Sequence, residues 1–283
     1  MPEIIISDQE KLDMVKERIQ ADGVGKFHVL ADFDRTLTKN FVNGEEVSSL
    51  ISVLRKEGFL TPDYPAKAQG LYDHYHSIEI DPDVQYEEKK KAMEEWWNKH
   101  LELLVASRLN MKDVENAVRS QSLQLRDGSE NFFGFLEKNN IPLVIISANG
   151  LGVESISMYL KNQGLHKNIH IVSNEFIWDE AGFAVEVKRP IIHTLNKDET
   201  IIEKFSFYNE VKERKNVLLL GDSPDDVRMI EGFAYDNLIK IGFLNKNIEA
   251  NIDLYRERYD IVICGDGDMG VVNDLLKEMF EII

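Results

Sequence analysis

Asp32 and Asp34 stand two residues apart where a short apolar run, Phe27-His28-Val29-Leu30-Ala31, gives way to polar residues. In an extended chain such residues point to the same face. Two close carboxylates repel, so one should hold its proton to a higher pH unless a cation sits beside it. That is what a nucleophile next to an acid/base group requires. The alternative is a solvated Asp-rich surface turn. A second acidic group follows another apolar run: Val217-Leu218-Leu219-Leu220 leads into Gly221-Asp222-Ser223-Pro224-Asp225-Asp226. Gly221 would permit a tight turn. Asp222, with Asp225 or Asp226, would offer hard oxygen ligands of the kind Mg²⁺ takes one or two of. Helix N-capping by Ser223 or Asp225 is compatible with that role.

Two further polar positions are weaker by themselves. Ser147, in Ser147-Ala148-Asn149-Gly150, follows Val144-Ile145-Ile146 and precedes a predicted helix. A hydroxyl with backbone N–H groups at a helix start can hold an anion, although Ser-x-Asn-Gly is also an ordinary loop. Lys197, in Leu195-Asn196-Lys197-Asp198, is one of 33 basic residues and gains meaning only from its place in the order Asp pair, Ser, Lys, Gly-Asp.

The elements that must position these residues are legible as alternating strands and helices. A helix is predicted from the capping-box spacing of Ser7 and Glu10 to about Gly23, with Leu12, Val15 and Ile19 on one stripe. The spacing then predicts strands at 27–31, 142–146, 169–173, 216–220, 238–241 and 259–263. Helices are predicted at 131–138, 153–163, 225–231, 247–258 and 269–282. Phe176 to Trp178 and Phe183 to Val187 flank Asp179-Glu180-Ala181-Gly182 and read as a hairpin. Residues 42–125 differ in character. Strand-like runs vanish, 45–57 and 86–109 read as helices, and Pro62, Pro65 and Pro82 punctuate the loops. The expectation is an α/β core, residues 1–41 and 126–283, with a mostly parallel sheet, interrupted by a helical block at 42–125. Ligands on such sheets bind beyond the carboxyl ends of the strands, which is where the candidate residues fall.

Composition narrows the function classes. The 283 residues carry 33 basic and 50 acidic side chains, a formal charge of −17, and 43% hydrophobic residues. The apolar share excludes disorder by composition. The negative charge argues against nonspecific nucleic-acid binding and against anionic membranes. No apolar stretch approaches a membrane span, and Met1-Pro2-Glu3 followed by Ile4 to Ile6 does not read as a signal peptide. A single cysteine, Cys264, fits a reducing cytoplasm. An anionic phosphate ester would be repelled by such a chain unless a cation, Lys197 and a helix N-terminus offset the carboxylates.

These segments resemble the four motifs of the haloacid dehalogenase-like (HAD) phosphohydrolase superfamily: Asp32-Phe33-Asp34-Arg35-Thr36, Ser147, Lys197, and Gly221 to Asp226. The chain is further similar to the cytosolic pyrimidine 5′-nucleotidase family. The stretches that carry this are Ile78-Glu79-Ile80-Asp81-Pro82, Glu94-Glu95-Trp96-Trp97, Glu130-Asn131-Phe132-Phe133, Ile192 to Lys197, Asp226-Val227-Arg228-Met229 and Ile239 to Asn245. The resemblance implies a Rossmann-like core with a helical cap inserted after the first motif, and Mg²⁺-dependent hydrolysis of nucleoside 5′-monophosphates, pyrimidine type favoured. It implies Asp32 as nucleophile and Asp34 as acid/base. It implies a metal held by the Asp32 and Asp222 carboxylates and the Asp34 main-chain carbonyl. Ser147 and Lys197 would bind the phosphoryl oxygens, and Asp226 would orient metal waters or Lys197. Glu95 and Trp96 in the cap would face the nucleoside, although one of Trp96 and Trp97 is expected to be packing. The expected partner is a small-molecule nucleotide, with no nucleic acid or membrane, and the oligomeric state is open. The other readings are a HAD phosphatase for a different small metabolite, a catalytically inert binding protein of the same fold, and a receiver domain. The last predicts a chain near half this length and no second aspartate.

Overall fold

The structure, a computed structural model, describes residues 3–281 apart from 48, 82, 121–122, 198–203 and 232–233, and all of their side chains except those of 56 and 57. In chain order the first half holds β1 (Ile4–Ile6), α1 (Gln9–Asp22), β2 (Phe27–Ala31), β3 (Phe41–Val42), β4 (Glu45–Glu46), α2 (Leu50–Glu57), α3 (Tyr64–Ile80), α4 (Tyr86–Ala106), α5 (Met111–Arg119) and α6 (Ser129–Lys138). The second half holds β5 (Leu143–Ile146), α7 (Gly152–Asn162), β6 (Ile169–Val172), β7 (Phe176–Trp178), β8 (Ala184–Val187), α8 (Tyr208–Val211), β9 (Asn216–Gly221), β10 (Asn237–Leu244), α9 (Ile248–Arg258), β11 (Ile261–Cys264) and α10 (Gly270–Phe280). Residue 282 of the last predicted helix lies outside the described residues.

Seven strands form one sheet in the order β1-β11-β10-β9-β2-β5-β6. Every pairing is parallel except that of the edge strand β1 with β11. The central strands β2, β5 and β9 are buried along their whole length, as expected for strands covered on both faces. Alternation divides their side chains. Val29, Ala31, Leu143, Ile145, Leu218 and Leu220 enter one apolar cluster, and Leu30, Val144, Ile146, Val217 and Leu219 enter the other. From β2 the chain builds outward in both directions, to β5 and β6 on one side and to β9, β10 and β11 on the other. The carboxyl end of β2 is therefore the switch point where such sheets open a crevice.

Among the described residues, no strand of this sheet falls between β2 and β5 in the chain. The intervening helices α2, α4 and α5 bury Leu50, Leu54, Leu101, Leu104 and Val114 in the same cluster as Phe33, Leu37 and Tyr159 beside the sheet. Tyr75 of α3 and Met93 of α4 form a smaller cluster with Leu195. Gly150, in the loop after β5, lets α2 lie close. A Cβ there would come within 2.3 Å of Ile51 Cδ1.

Three local expectations are corrected. Residues 41–46 form a hairpin, not the start of a helix at 45. Asn43 (φ 55°) and Gly44 (φ 82°) both take the left-handed conformation that a tight two-residue turn demands. Helices α3 and α5 lie where the pattern predicts none: Pro65 sits harmlessly in the first turn of α3, and α5 starts on a capping box between Asn110 and Asp113. The N-cap of α1 is Asp8, accepting from Lys11 N at 3.0 Å. Ser7 instead donates to Arg256 O and Tyr259 O.

Candidate active site

The candidate residues arrive at one place because each lies beyond, or close to, a strand end in the crevice. Asp32 follows β2, Ser147 follows β5, Asp222 follows β9, and Lys197 sits on the segment between β8 and β9. With Asp34 and Asp226 they line a single cavity of about 640 Å³. Asp32 and Asp34 are not themselves on the strand, which ends at Ala31. The alternation nevertheless persists: Phe33 is buried in the core and its two neighbours face the cavity.

Lys197 is the cation at the centre. Its Nζ lies 2.5 Å from Asp32 Oδ1 and 3.2 Å from Asp226 Oδ1. Its side chain is only 7% exposed. Burial opposes its charge, but the Asp226 and Asp32 carboxylates outweigh that and hold the ammonium above its usual range. The carboxyls are displaced upward. Burial pushes Asp32 up to about 7, against the pull of Lys197. Burial likewise raises Asp34, with Lys197 and an Asn149 hydrogen bond opposing. Asp222 is raised well above its ordinary value by burial and by the Asp226 and Asp32 charges.

Asp226 has a bracing geometry. Its Oδ2 accepts from the backbone N–H of Asp222 at 3.1 Å and of Ser223 at 2.9 Å, while Oδ1 takes Lys197. It therefore ties the turn after β9 to the lysine, and the predicted helix at 225–231 is instead a 3₁₀ turn at Asp226–Ile230. Gly221 is required for a different reason than a left-handed turn. A Cβ there would meet Asp226 Cβ at 2.5 Å and the Tyr259 hydroxyl at 2.7 Å. Tyr255 and Tyr259 donate their phenolic hydroxyls to Asp222 O and Ser223 O.

The donor set suits a hard divalent cation. Among the described residues, Asp32, Asp222 and Asp226 offer carboxylate oxygens within 4.8 Å of one another. The Thr36 hydroxyl reaches both Asp32 Oδ2 (3.4 Å) and Asp222 Oδ1 (3.3 Å), but its single proton can satisfy only one of them. Those two oxygens are thus left short of positive partners, whereas both oxygens of Asp226 are engaged. Asp32 and Asp222 are therefore the carboxylates that could hold a hard divalent cation.

Sequence reasoning missed several neighbours. Asn149 donates from Nδ2 to Asp34 Oδ2 at 3.2 Å, and its Oδ1 caps the N–H of Leu151. Helix α7 begins only at Gly152, and the N–H of Ser147 is taken by Val172 O at 3.0 Å. The expected anion site of hydroxyl plus free amides at a helix start is therefore reduced, at Ser147 itself, to its hydroxyl. Thr36 is legible in the Asp-x-Asp-x-Thr run. Nothing in the local pattern singles out Asn149.

The outer cavity wall corrects one expectation. Glu95 does not line it: this side chain is 57% exposed and pairs with Lys99 at 2.6 Å along α4. Glu79 of α3 does line it, with His76 Nδ1 at 3.0 Å from its carboxylate. Trp96 and Trp97 both contribute to the wall, with Tyr72 beside them. Trp96 stacks on Tyr75 (centroids 6.0 Å, 11°), and its buried indole N–H has no partner among the described residues. Trp97 also packs against the main core.

Residues 35–280 match the pyrimidine 5′-nucleotidase (UMPH-1) family. The chain belongs to this family. Over 279 residues it is 34% identical to the 7-methylguanosine phosphate-specific 5′-nucleotidase of Mus musculus, covering 98% of this chain and 92% of that protein. The crystal structure of cytosolic 5′-nucleotidase IIIB bound to cytidine superposes with a TM-score of 0.89 at 30% identity, covering 98% of this chain and 93% of that one. A substrate-bound phosphoserine phosphatase, 18% identical with a TM-score of 0.52 over 88% of this chain and 96% of its own, shares the fold alone. Family membership makes the chain a HAD-fold enzyme of the 5′-nucleotidase class. Among the described residues no helix is long and apolar enough to cross a membrane.

Proposed function

We propose that the protein is a Mg²⁺-dependent phosphomonoesterase acting on nucleoside 5′-monophosphates in the cytoplasm, with helices α2–α5, within residues 42–125, serving as a cap over the core. The observation that carries this is the meeting of Asp32, Asp34, Asp222 and Lys197 in a cavity that Tyr72, Trp96, Trp97 and Glu79 also line. Lys197 and the Ser147 hydroxyl hold the phosphoryl oxygens. An Asp32 carboxylate oxygen attacks phosphorus, the bond from phosphorus to the ribose O5′ breaks, and Asp34 gives its proton to the departing oxygen. Asp34 then takes a proton from water, which attacks the aspartyl-phosphate. The bond to Asp32 breaks and inorganic phosphate leaves. The raised pKa of Asp34 suits the first donation, and Asn149 keeps its carboxyl aimed. Mg²⁺ bound by Asp32, Asp222 and the Asp34 main-chain carbonyl would neutralise the phosphoryl charge and the carboxylate repulsion.

The cavity wall supports a choice of base. Tyr72, Trp96 and Trp97 line the cavity, and an aromatic ring on which a base stacks is worth roughly 1–3 kcal/mol. The Glu79 carboxylate accepts N–H donors from the base edge. A cytosine amino group fits that pairing. 7-Methylguanine fits it better, because its positive charge gains from both the rings and the carboxylate. The reading is therefore hydrolysis of cytidine and 7-methylguanosine monophosphates in preference to AMP. The names of the mouse relative and of the cytidine-bound structure agree with it.

The test is a rate comparison of UMP, CMP, AMP, GMP, 7-methyl-GMP and phosphoserine, with Mg²⁺ and with chelator. Turnover of 7-methyl-GMP and CMP that stops in chelator is expected. Turnover of phosphoserine with all nucleotides inert would refute the nucleotidase reading.

A further inference from the structure

Among the described residues, the largest wholly buried side chain is neither apolar nor in the cavity: it is Arg126, at the return of the chain from the helical block into the core. All five of its N–H donors are used. Nε donates to Thr36 O at 2.7 Å. Nη1 donates to Asp266 Oδ1 at 3.0 Å and Gly267 O at 2.5 Å. Nη2 donates to Asn245 Oδ1 at 2.7 Å and to Arg35 O. The guanidinium lies 4.1 Å from the centroid of the Phe243 ring. Two of the five acceptors are thus the carbonyls directly after Asp34. Arg35 itself is held at φ 63°, a left-handed conformation that side chains other than glycine rarely adopt. Asn245 Nδ2 adds a second donor to Arg35 O at 3.1 Å.

We propose that Arg126 is a positioning residue for the reaction, which rests on Asp32 being the nucleophile and Asp34 the acid/base group. Its planar fork fixes the peptide units of Arg35 and Thr36 against the tips of β10 and β11. The Thr36 hydroxyl then stands between Asp32 and Asp222, and the Asp34 backbone is held in the turn that aims both acids into the cavity. Asp266 anchors the fork on the far side and also accepts the N–H groups of Asn40 and Phe41, each at 2.8 Å, where the chain leaves the core. A lysine keeps the charge but is a single point donor group and cannot bridge five acceptors in one plane.

The experiment compares wild type, Asp32→Asn, Arg126→Lys and Asn245→Ala in the full chain with Mg²⁺, measuring kcat and KM per folded enzyme together with Tm. Displacement of catalytic groups by about 1 Å costs up to about a hundredfold in rate. Arg126→Lys is expected to stay folded, to lower kcat about ten- to a hundredfold, and to leave KM within about twofold. Asn245→Ala, which keeps the arginine and removes one of its acceptors, should show the same split with a loss of about three- to tenfold. An arginine that only stabilises the fold would lower Tm and leave kcat per folded molecule intact, and that result overturns the proposal. If Arg126→Lys does not fold, an unchanged kcat in Asn245→Ala overturns it. Asp32→Asn separates the two levels: its inactivity upholds the underlying assignment, and its activity removes both.

Discussion

Replacing Lys197 with methionine keeps an unbranched side chain, one atom shorter, and removes its charge. In the structure that charge sits 2.5 Å from Asp32 and 3.2 Å from Asp226, in a site where both carboxylates and the lysine are almost fully buried. Breaking a buried pair by removing one partner costs about 3–5 kcal/mol, because the remaining charge has neither water nor a counter-ion. Two carboxylates lose their partner here, so the upper end of that range is expected in chelator. Part of the loss should return with Mg²⁺. A cation at a hundred times its dissociation constant stabilises the folded state by about 2.7 kcal/mol, and the variant should gain more from it than wild type. Losing one charge-assisted donor to the transferring phosphoryl group should cost about 10²–10³ in turnover. The assay is urea unfolding with and without Mg²⁺, followed by steady-state kinetics on the preferred nucleotide. Destabilisation below about 1 kcal/mol in chelator would refute the reasoning, since it would mean that the three groups are solvated or apart.

Asp34→Asn should form the aspartyl-phosphate slowly with nucleotides and hydrolyse it more slowly still, since the amide can neither donate to the leaving oxygen nor take a proton from water. Rapid-quench detection of the labelled intermediate checks this, and wild-type steady-state rates would contradict it. Glu79→Gln should lower kcat/KM for 7-methyl-GMP about ten- to a hundredfold, the size of one charge-assisted contact, with p-nitrophenyl phosphate within about twofold. Glu95→Gln, on the exposed face of α4, should change neither. Equal damage from both substitutions would remove Glu79 from base recognition. The metal-free protein should also show a pH signature. Asp32 is raised to about 7 by burial, above the roughly 3.9 of an unfolded aspartate. An acid shifted in this direction contributes its stability in full below the unfolded value and loses it as pH rises through the folded one. Buried His100 and His193, lowered to about 4 by burial, act with the opposite sign as pH falls. The comparison is therefore between wild type and Asp32→Asn in chelator from pH 4 to pH 8. Wild type should lose more stability than the variant on the way up, and parallel curves would show that Asp32 ionises freely in the folded chain.

The sequence alone carried the alternation of strands and helices, the all-apolar central strands, and the order of chemical residues along them. Those features are local: an apolar run of four or five residues followed by Asp, Ser or Gly-Asp marks a strand end wherever the strand is placed. Because parallel strands share one direction, their carboxyl ends lie on one edge, and Asp32, Ser147 and Asp222 meet there once the sheet forms. The Asn43-Gly44 turn is equally local, but the helical character of residues 45–57 masks it. Only the tertiary structure decided between Glu79 and Glu95. Both stand on long helices, α3 and α4, whose weak apolar stripes leave the facing side undetermined, and in the folded chain Glu79 lines the cavity wall while Glu95 pairs with Lys99. Asn149 and Arg126 belong to the same class. Their partners lie far away in the chain, at Asp34 and at residues 35–36, 245 and 266–267. A buried polar group is defined by the acceptors that surround it, and no spacing within one segment encodes acceptors brought by three others.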